Sequence, residues 1–317
     1  KGTTAPYAYT TNPGTGWSPL VDIVPTPSPS PFAQWTTGSL AVSGPDKLGF
    51  LAIQSRPQAC SGSTPLPAVP YEVWFVERTG TSWGAPIQVG LADLIVSMTC
   101  PGPGSTGNVY GSGITLAGTA GGEWIAVWDS LTTPYNGTNP QPSDSPTKIK
   151  WNRTAAGVWA GEADLFTTAS YRSPKLARSP NGTVWLVARQ GTGGDLAMAS
   201  HNGTTWTPSP TTVLSPATGS FPYFSVHFDP DGRGILSHSQ QVFGSNPSVK
   251  LFSQSDSLAA VAGMTTVALE STLSLARYPA VAVPLGDGRY AAAWATAKYG
   301  PNTFHSSGTE IDTAVFE

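Results

Sequence analysis

Apolar residues in this chain come in pairs of short runs, and a polar turn rich in glycine, asparagine, aspartate and proline separates the members of each pair. The clearest pair spans residues 175–189, with the turn at Pro180-Asn181-Gly182. An Asn-Gly step supplies the positive φ angles that a tight hairpin turn needs. The pattern therefore predicts an antiparallel β-hairpin at this position.

A second hairpin is predicted over residues 195–206, and a short strand ending at Leu214 follows it. Four consecutive strands joined by neighbouring hairpins are typical of a propeller blade. We name these strands A, B, C and D, counted outward from the expected central channel.

The A–B hairpin recurs along the chain, at residues 40–53, 114–127, 224–236 and 280–294. Its turn glycines Gly122, Gly182, Gly232 and Gly288 are 60, 50 and 56 residues apart, a spacing typical of propeller repeats. The sequence predicts an all-β fold, a β-propeller of four-stranded antiparallel blades. The hairpins indicate five blades, with six as the alternative.

The chain ends are expected to close the ring. Residues 7–17 resemble a C–D hairpin, but no A–B hairpin precedes them. After the last A–B hairpin, the one further segment with a strand-like pattern is residues 309–317. Residues 7–11 and 309–316 both look like C strands, so one is outermost or a sixth, irregular blade exists. Residues 1–317 are expected to form one propeller domain.

Composition narrows the choice of partner. The net charge is −3 and charged residues make up 11% of the 317 positions, so no basic stripe for nucleic acid is present. No apolar run approaches the roughly 18 residues of a membrane span. Few charges, many Ser and Thr residues and two cysteines in loops favour an oxidising compartment, so we expect a secreted or cell-surface protein of unknown oligomeric state.

Loop lengths predict a functional face. The A–B and C–D turns are short, whereas the longer connections cover residues 57–70, 90–112, 131–146, 241–248 and 297–308. In an up-and-down blade these long connections leave at the end where the A strands begin, and such loops commonly carry binding or catalysis. Cys60 and Cys100 lie in two of them, which predicts a disulfide; the alternative is two free thiols.

One segment resembles a known family. Tyr171-Arg172-Ser173-Pro174 and the hairpin after it resemble the Arg-x-Pro strand that opens the propeller of sialidases. Residues 200–206 are similar to the sialidase Asp-box turn, Ser-x-Asp-x-Gly-x-Thr-Trp, which other propellers also contain. The resemblance covers about one blade, and elsewhere the Asp-box is reduced to a Gly-x-Trp-type turn. The resemblance implies a carbohydrate-related function. The propeller of sialidases has six blades.

Aromatic and planar polar side chains are expected to converge on the channel mouth. Sugar rings stack on aromatic faces, and the guanidinium fork of arginine binds an oxyanion with two hydrogen bonds. The sequence therefore predicts lectin-like binding of a glycan or polysaccharide, an anionic one in particular. The candidate ligand-binding residues are Trp35, Arg56, Tyr110, Tyr171, Arg172, Arg189, Tyr223, His238 and Arg277.

An enzyme is the alternative. The sialidase resemblance implies an arginine trio, formed by Arg172, Arg277 and either Arg56 or Arg189. It also implies a tyrosine activated by a glutamate, for which Tyr278 and Glu270 are the candidates, and an aspartic acid, for which Asp93 is the candidate.

Binding is favoured over catalysis on chemical grounds. Glycosidic hydrolysis uses two facing carboxyl groups, and the 19 Asp and Glu residues offer no evident pair. We therefore favour a binding module over a glycoside hydrolase or lyase, with a protein-interaction scaffold as a third possibility. No cofactor or metal is expected.

Overall fold

The computed structural model of the chain describes residues 7–9, 21–23, 35–56, 58, 60–61, 63–100, 106–109, 113–137, 146–167, 169–191, 194–215, 223–239, 248–268, 281–286, 289–299 and 306–316. The chain divides into two compact units. The first contains Lys1–Gly118, Gly122–Ser145 and Lys150–Ala163, and the second contains the remaining residues, including Asp164–Glu317. The expectation of a single propeller domain stays a prediction.

The first unit contains, wholly or in part, the strands of the N-terminal half. They are β1 (Tyr7–Tyr9), β2 (Val21–Ile23), β3 (Trp35–Gly44), β4 (Lys47–Gln54), β5 (Cys60–Ser61), β6 (Thr64–Pro65), β7 (Tyr71–Thr79), β8 (Ser82–Trp83), β9 (Ile87–Ala92), β10 (Ile95–Thr99), β11 (Thr106–Val109), β12 (Ile114–Gly118), β13 (Trp124–Leu131), β14 (Thr147–Ala155), β15 (Val158–Trp159) and β16 (Ala163–Leu165). Sheet 1 has the order β3-β4-β7, with β8 and β9 both paired to β7, and sheet 2 has the order β12-β13-β14, with β15 and β16 both paired to β14. The pairs β1–β2, β5–β6 and β10–β11 form small separate sheets.

The second unit contains the C-terminal strands and one short helix. They are β17 (Tyr171–Arg178), β18 (Val184–Gln190), β19 (Asp195–His201), β20 (Thr211–Leu214), β21 (Tyr223–Phe228), β22 (Arg233–Ser239), β23 (Ser248–Ser253), α1 (Leu258–Gly263), β24 (Val267–Ala268), β25 (Val281–Gly286), β26 (Arg289–Tyr299) and β27 (Ser306–Phe316). Sheet 3 is β17-β18-β19-β20, sheet 4 is β21-β22-β23-β24, and sheet 5 is β25-β26-β27.

The predicted A–B hairpins are present in all five larger sheets. Each opens with two antiparallel strands, and in sheets 1 to 4 these strands join at the predicted turn, as β17 and β18 do at Asn181-Gly182. Sheets 3 and 4 are four-stranded in sequence order. The prediction of an all-β fold built from antiparallel four-stranded sheets is confirmed, because the turn chemistry and the alternating apolar runs act locally.

The chain ends differ in detail from the expected arrangement. β1 pairs with β2, and β27 takes the third position of sheet 5. No strand pairing within the described residues joins β1 or β2 to sheet 5, so ring closure and blade number stay predictions. β26 and β27 also extend into the expected loop at 297–308, because their pairing continues to Tyr299 and Ser306.

Large aromatic side chains fill the core of the first unit. Trp124 and Trp128 are almost fully buried among Leu51, Val73 and Phe75 from sheet 1. The indole of Trp128 donates its hydrogen bond to the carbonyl oxygen of Leu91 at 3.1 Å, so its polar end is satisfied inside the core.

A buried lysine ties together the elements around sheet 4. Lys250 is 2% exposed, and its Nζ donates to the carbonyl oxygens of Val213, Val261 and Ala262 at 2.6, 3.0 and 3.2 Å. Burial lowers the pKa of Lys250 because desolvation penalises the charged form. This side chain holds α1 and β20 against β23.

The expected disulfide is present between Cys60 and Cys100, with a Cα–Cα distance of 6.2 Å. It links the β5–β6 hairpin to the end of β10, so two of the long connections are joined covalently. Disulfides persist in oxidising compartments. Among the described residues, no helix has the length and apolar character needed to cross a membrane.

Gly182→Ala should destabilise the protein by about 2 kcal/mol, because Gly182 has a φ of +90° and an added Cβ would lie 2.9 Å from that of Ala120. Gly203→Ala is the matched control, since Gly203 has a φ of +94° and nothing within 4 Å of an added Cβ. We expect the control to cost about 1 kcal/mol, through conformation alone. Urea unfolding of both variants measures the difference, and equal costs would contradict the contact.

Candidate functional site

Sheets 3 and 4 present their A–B hairpins in the same orientation. After β23, the side-chain oxygen of Gln254 accepts a hydrogen bond from the backbone N–H of Asn181 at 2.9 Å. The backbone N–H of Gln254 donates to the carbonyl oxygen of Gly232 at 2.7 Å. The rings of Trp185 and Phe228, each near its hairpin turn, are 5.8 Å apart. Since the turn ends lie together and β17 runs beside β21, the opposite ends also lie on one side.

Several predicted ligand-binding residues lie at those opposite ends, and we call them the open-end cluster. In sheet 3, Arg172 is directly across from Arg189, and Tyr171 precedes Arg172. In sheet 4, His238 is across from Phe224, next to Tyr223. The open-end cluster is Tyr171, Arg172, Arg189, Tyr223 and His238.

A β-bulge directly follows Arg172. The register runs from the pair Arg172–Arg189 to the pair Lys175–Val187, so Ser173 and Pro174 face a single residue of β18. Ser173 has a φ of +56°, which is unusual for a residue with a side chain. Proline fits at a bulge because it has no N–H for the ladder, and bulges often redirect side chains beside functional sites.

Hydrogen bonds fix the backbone just before the bulge. The Thr147 hydroxyl donates to the carbonyl oxygen of Tyr171 at 2.6 Å, and the Thr147 N–H donates to Ser170 Oγ at 2.9 Å. Gly191 N–H donates to the carbonyl oxygen of Ser170 at 2.8 Å, which closes the end of β18. The backbone just before Arg172 is therefore fixed by hydrogen bonds from Thr147 on one side and from Gly191 on the other.

The two arginines differ in exposure. Arg172 is 3% exposed, whereas Arg189 is half-buried. A guanidinium in a poorly solvated position forms stronger charge-assisted hydrogen bonds to an oxyanion than one in water. Two arginines across one strand pair are suited to a carboxylate or a sulfate.

The two tyrosines have different surroundings. Tyr171 is 3% exposed and its ring packs edge-on against Phe166 at 5.9 Å, and burial raises the pKa of its phenol. Tyr223 is 37% exposed at the start of β21. Of the two rings, Tyr223 has the free surface that stacking on a sugar requires.

His238 is a buried member of the open-end cluster. It is 6% exposed, and among the described residues neither ring nitrogen has a hydrogen-bond partner. Burial, assisted by the charge of Lys250, lowers the pKa of His238 to about 4. The ring is therefore neutral at physiological pH, with one N–H donor and one basic nitrogen.

The other predicted site residues fall into two groups. In the first unit, Arg56 is exposed and ion-paired with Glu72 at 3.5 Å, and Asp93 lies after β9 with its backbone bonded to Ser130 and Leu131. Trp35 opens β3. Tyr110, Glu270, Arg277 and Tyr278 lie outside the described residues. The site assignments therefore stay predictions. Of the predicted arginine trio, Arg172 and Arg189 lie across from each other in sheet 3.

Sequence reasoning missed Thr147 and Lys250, which support this region. Thr147 opens β14 far from Tyr171 in sequence, so nothing local indicates the contact. Lys250 interrupts an otherwise apolar strand, Val249-Lys250-Leu251-Phe252. A lysine in such a strand was an available indication of a buried side chain that needs hydrogen-bond partners.

Comparisons with known proteins relate the fold to carbohydrate-active enzymes. No protein-family model matches the sequence, and no curated protein matches it. A Hadza microbial sialidase aligns over 90% of this chain at 10% identity with a TM-score of 0.51, although this chain spans only 56% of that protein. The Penicillium chrysogenum α-L-arabinanase, complexed with arabinobiose, aligns over 81% of this chain and 74% of its own at 13% identity, with a TM-score of 0.50.

An ulvan lyase, from a new family of polysaccharide lyase, aligns over 87% of this chain and 67% of its own at 11% identity, with a TM-score of 0.50. At these identities the likeness shows the fold alone. The chain has an all-β architecture consistent with the propellers of these enzymes. Because the neighbours carry out different chemistry, the site must decide the function.

Proposed function

We propose that this protein recognises an anionic glycan or polysaccharide through the open-end cluster. The observation that carries the proposal is the pair Arg172 and Arg189, opposed across one strand pair and followed by a bulge. Two guanidinium groups offer the bidentate hydrogen bonds that a carboxylate or sulfate accepts.

The neighbouring residues are chemically suited to the rest of a sugar. Tyr223 has the exposed ring face that stacks on the C–H side of a pyranose. The fold, which carbohydrate-active enzymes share, agrees with this class of ligand, and the disulfide agrees with a secreted or cell-surface location.

Arg189→Gln should weaken binding of an anionic glycan about ten- to a hundred-fold, because it removes a charge-assisted interaction worth about 1.5 to 3 kcal/mol. The ligand is first identified on an array of carboxylated, sulfated and neutral glycans, and affinity is then measured by calorimetry. Arg172→Lys tests the buried partner while keeping its charge, and should also weaken binding because an ammonium group cannot form the bidentate fork.

Arg178→Ala is the matched control, because Arg178 is an exposed arginine at the other end of β17. Its affinity should equal that of the wild type. The proposal is wrong if neither Arg189→Gln nor Arg172→Lys changes affinity, or if the array shows binding to neutral glycans only. If the variants melt far below the wild type, the arginines stabilise the fold and are not ligand contacts.

A glycoside hydrolase of the sialidase type is the second candidate. The fold shared with a sialidase and an arabinanase favours it. It would use Tyr278 with Glu270 and Asp93, which remain predicted catalytic residues. Release of reducing sugar from a fluorogenic glycoside panel, lost in Glu270→Gln, is the result that would favour this candidate over binding alone.

A further inference from the structure

We propose that a cleft at the outer edge of sheet 1 is a second binding site, for one or two rings of a neutral saccharide. β8 pairs with β7 at Arg78 and Thr79, β9 pairs with residues 71–75 of β7, and residues 84–86 connect the two short strands. The cleft lies at this break in the outer strand, and we call it the edge cleft. Its lining includes Phe75, Glu77, Ser82, Trp83, Ala85 and Ile87.

The edge cleft is separate from the open-end cluster. All of its lining residues belong to the first unit, whereas the open-end cluster belongs to the second. A binding site in the edge cleft therefore goes beyond the proposed function, and neither one depends on the other.

The size and apolar lining of the edge cleft suit a sugar ring. Its volume is about 480 Å³, and small-ligand sites typically have about 300 to 1,000 Å³. Phe75 is 3% exposed, Trp83 is half-buried and Ile87 is 48% exposed. Aromatic and aliphatic surfaces of this kind can cover the C–H face of a sugar. Trp83 also packs against the buried cluster around Phe50, so its ring is already ordered before a ligand binds.

Glu77 provides a fixed acceptor for sugar hydroxyl groups. Its Oε2 atom accepts a hydrogen bond from the indole N–H of Trp124 at 2.5 Å and is ion-paired with Lys47 at 3.1 Å. Its Oε1 atom accepts from the Thr79 hydroxyl at 3.3 Å, and a carboxylate oxygen can accept a further hydrogen bond. Ser82, exposed and across from Thr79, has a hydroxyl that can both donate and accept.

The charge of the edge cleft favours an uncharged ligand that carries hydroxyl groups. Lys47 is already bonded to Glu77 and to the carbonyl oxygen of Gly122, the latter at 3.0 Å. A carboxylated or sulfated ring would bring a second negative charge against Glu77. An apolar peptide side chain would remove water from Glu77 without giving it a hydrogen-bond donor. A neutral sugar avoids both costs.

The test titrates the full chain by calorimetry with xylohexaose, arabinohexaose, cellohexaose and maltohexaose, and with a proline-rich peptide as a probe without sugar. We expect at least one hexasaccharide to bind and the peptide not to bind. Ala85→Phe should weaken the saccharide binding about tenfold or more, because the added ring occupies the space of the ligand. Ser82→Ala, a small change at an exposed position, should weaken it about two- to ten-fold, because it removes one hydrogen bond.

Two controls separate the edge cleft from other causes. Ser209→Phe adds the same ring at an exposed position in the corresponding loop of sheet 3, between Trp206 and β20, and should keep the wild-type affinity. Arg189→Gln changes the open-end cluster and should also keep it. In wild-type protein, the indole N–H signal of Trp83, assigned with Trp83→Phe, should shift in nuclear magnetic resonance spectra during the titration.

Absence of hexasaccharide binding overturns the second site, and so does binding that folded Ala85→Phe and Ser82→Ala both retain. Binding that is lost in Arg189→Gln assigns the saccharide to the open-end cluster and overturns the edge cleft as its site. Binding of the peptide alone makes the edge cleft a protein-docking surface and overturns the saccharide assignment. None of these results alters the measured binding of anionic glycans, so the proposed function is tested separately.

Discussion

Removing the Cys60–Cys100 disulfide is expected to lower the free energy of unfolding by about 4 kcal/mol. The bridge closes a loop across a sequence separation of 40, so its loss gives the unfolded chain many more conformations. The loop also contains β7, the strand of sheet 1 that pairs with β4, β8 and β9. Urea unfolding of the double variant Cys60→Ser, Cys100→Ser measures the change.

Wild-type protein unfolded in a reducing agent is the control, because it loses the bridge while keeping both sulfur atoms. The reduced protein and the double variant should have similar midpoints, well below that of the oxidised protein. Titration of two thiols in native, unreduced protein, or equal stability of oxidised and reduced forms, would contradict the prediction.

The hairpins of the fold could be predicted from the sequence because their determinants are local. Asn181-Gly182 sets both the turn and the pairing of β17 with β18, and Gly122 and Gly232 lie in corresponding turns. The second hairpin predicted at residues 195–206 is also present, since Trp206 pairs with His201, and Trp83 and Trp159 pair back in the same way onto the strand before them. Each of these features depends on residues close together in the chain.

The partners of the chain ends could not be assigned in this way. Residues 7–11 and 309–316 carry similar alternating patterns, and alternation indicates a strand without identifying its neighbour. The sequence between β1 and β2 contains Asn12-Pro13-Gly14, which indicates a turn but does not identify the strand that pairs with β1. Long-range pairing is a property of the assembled sheets, so local patterns do not determine it.

The strand positions of Arg172, Arg189 and His238 could be predicted from the sequence, but the burial of Arg172 and His238 could not. Strand order placed Arg172, Arg189 and His238 at the ends of their hairpins, where the register has them. Burial of Arg172 and His238 depends on neighbouring sheets, and sequence reasoning expected both at an open channel mouth. Pro174 was an available indication of the bulge after Arg172, because proline cannot donate a hydrogen bond to the ladder.

Acidification should destabilise the protein by about 3 kcal/mol through His238 alone. The pKa of His238 is about 4 in the folded protein and 6.5 in an ordinary environment. Between these values the unfolded chain binds a proton that the folded protein does not, so stability is full above 6.5 and falls as the pH drops towards 4. Below 4 this residue has no further effect. Burial also lowers the pKa of His227, which adds a loss in the same direction.

Urea unfolding of wild type and His238→Gln across this pH range isolates the contribution. The glutamine does not titrate, so the stability difference between wild type and variant should shift by about 3 kcal/mol from neutral pH to about pH 4, with the wild type losing more. His227→Gln controls for the second histidine and should leave most of the wild-type loss in place. If wild type and His238→Gln lose stability in parallel, the fold does not hold the ring of His238 neutral and the prediction is wrong.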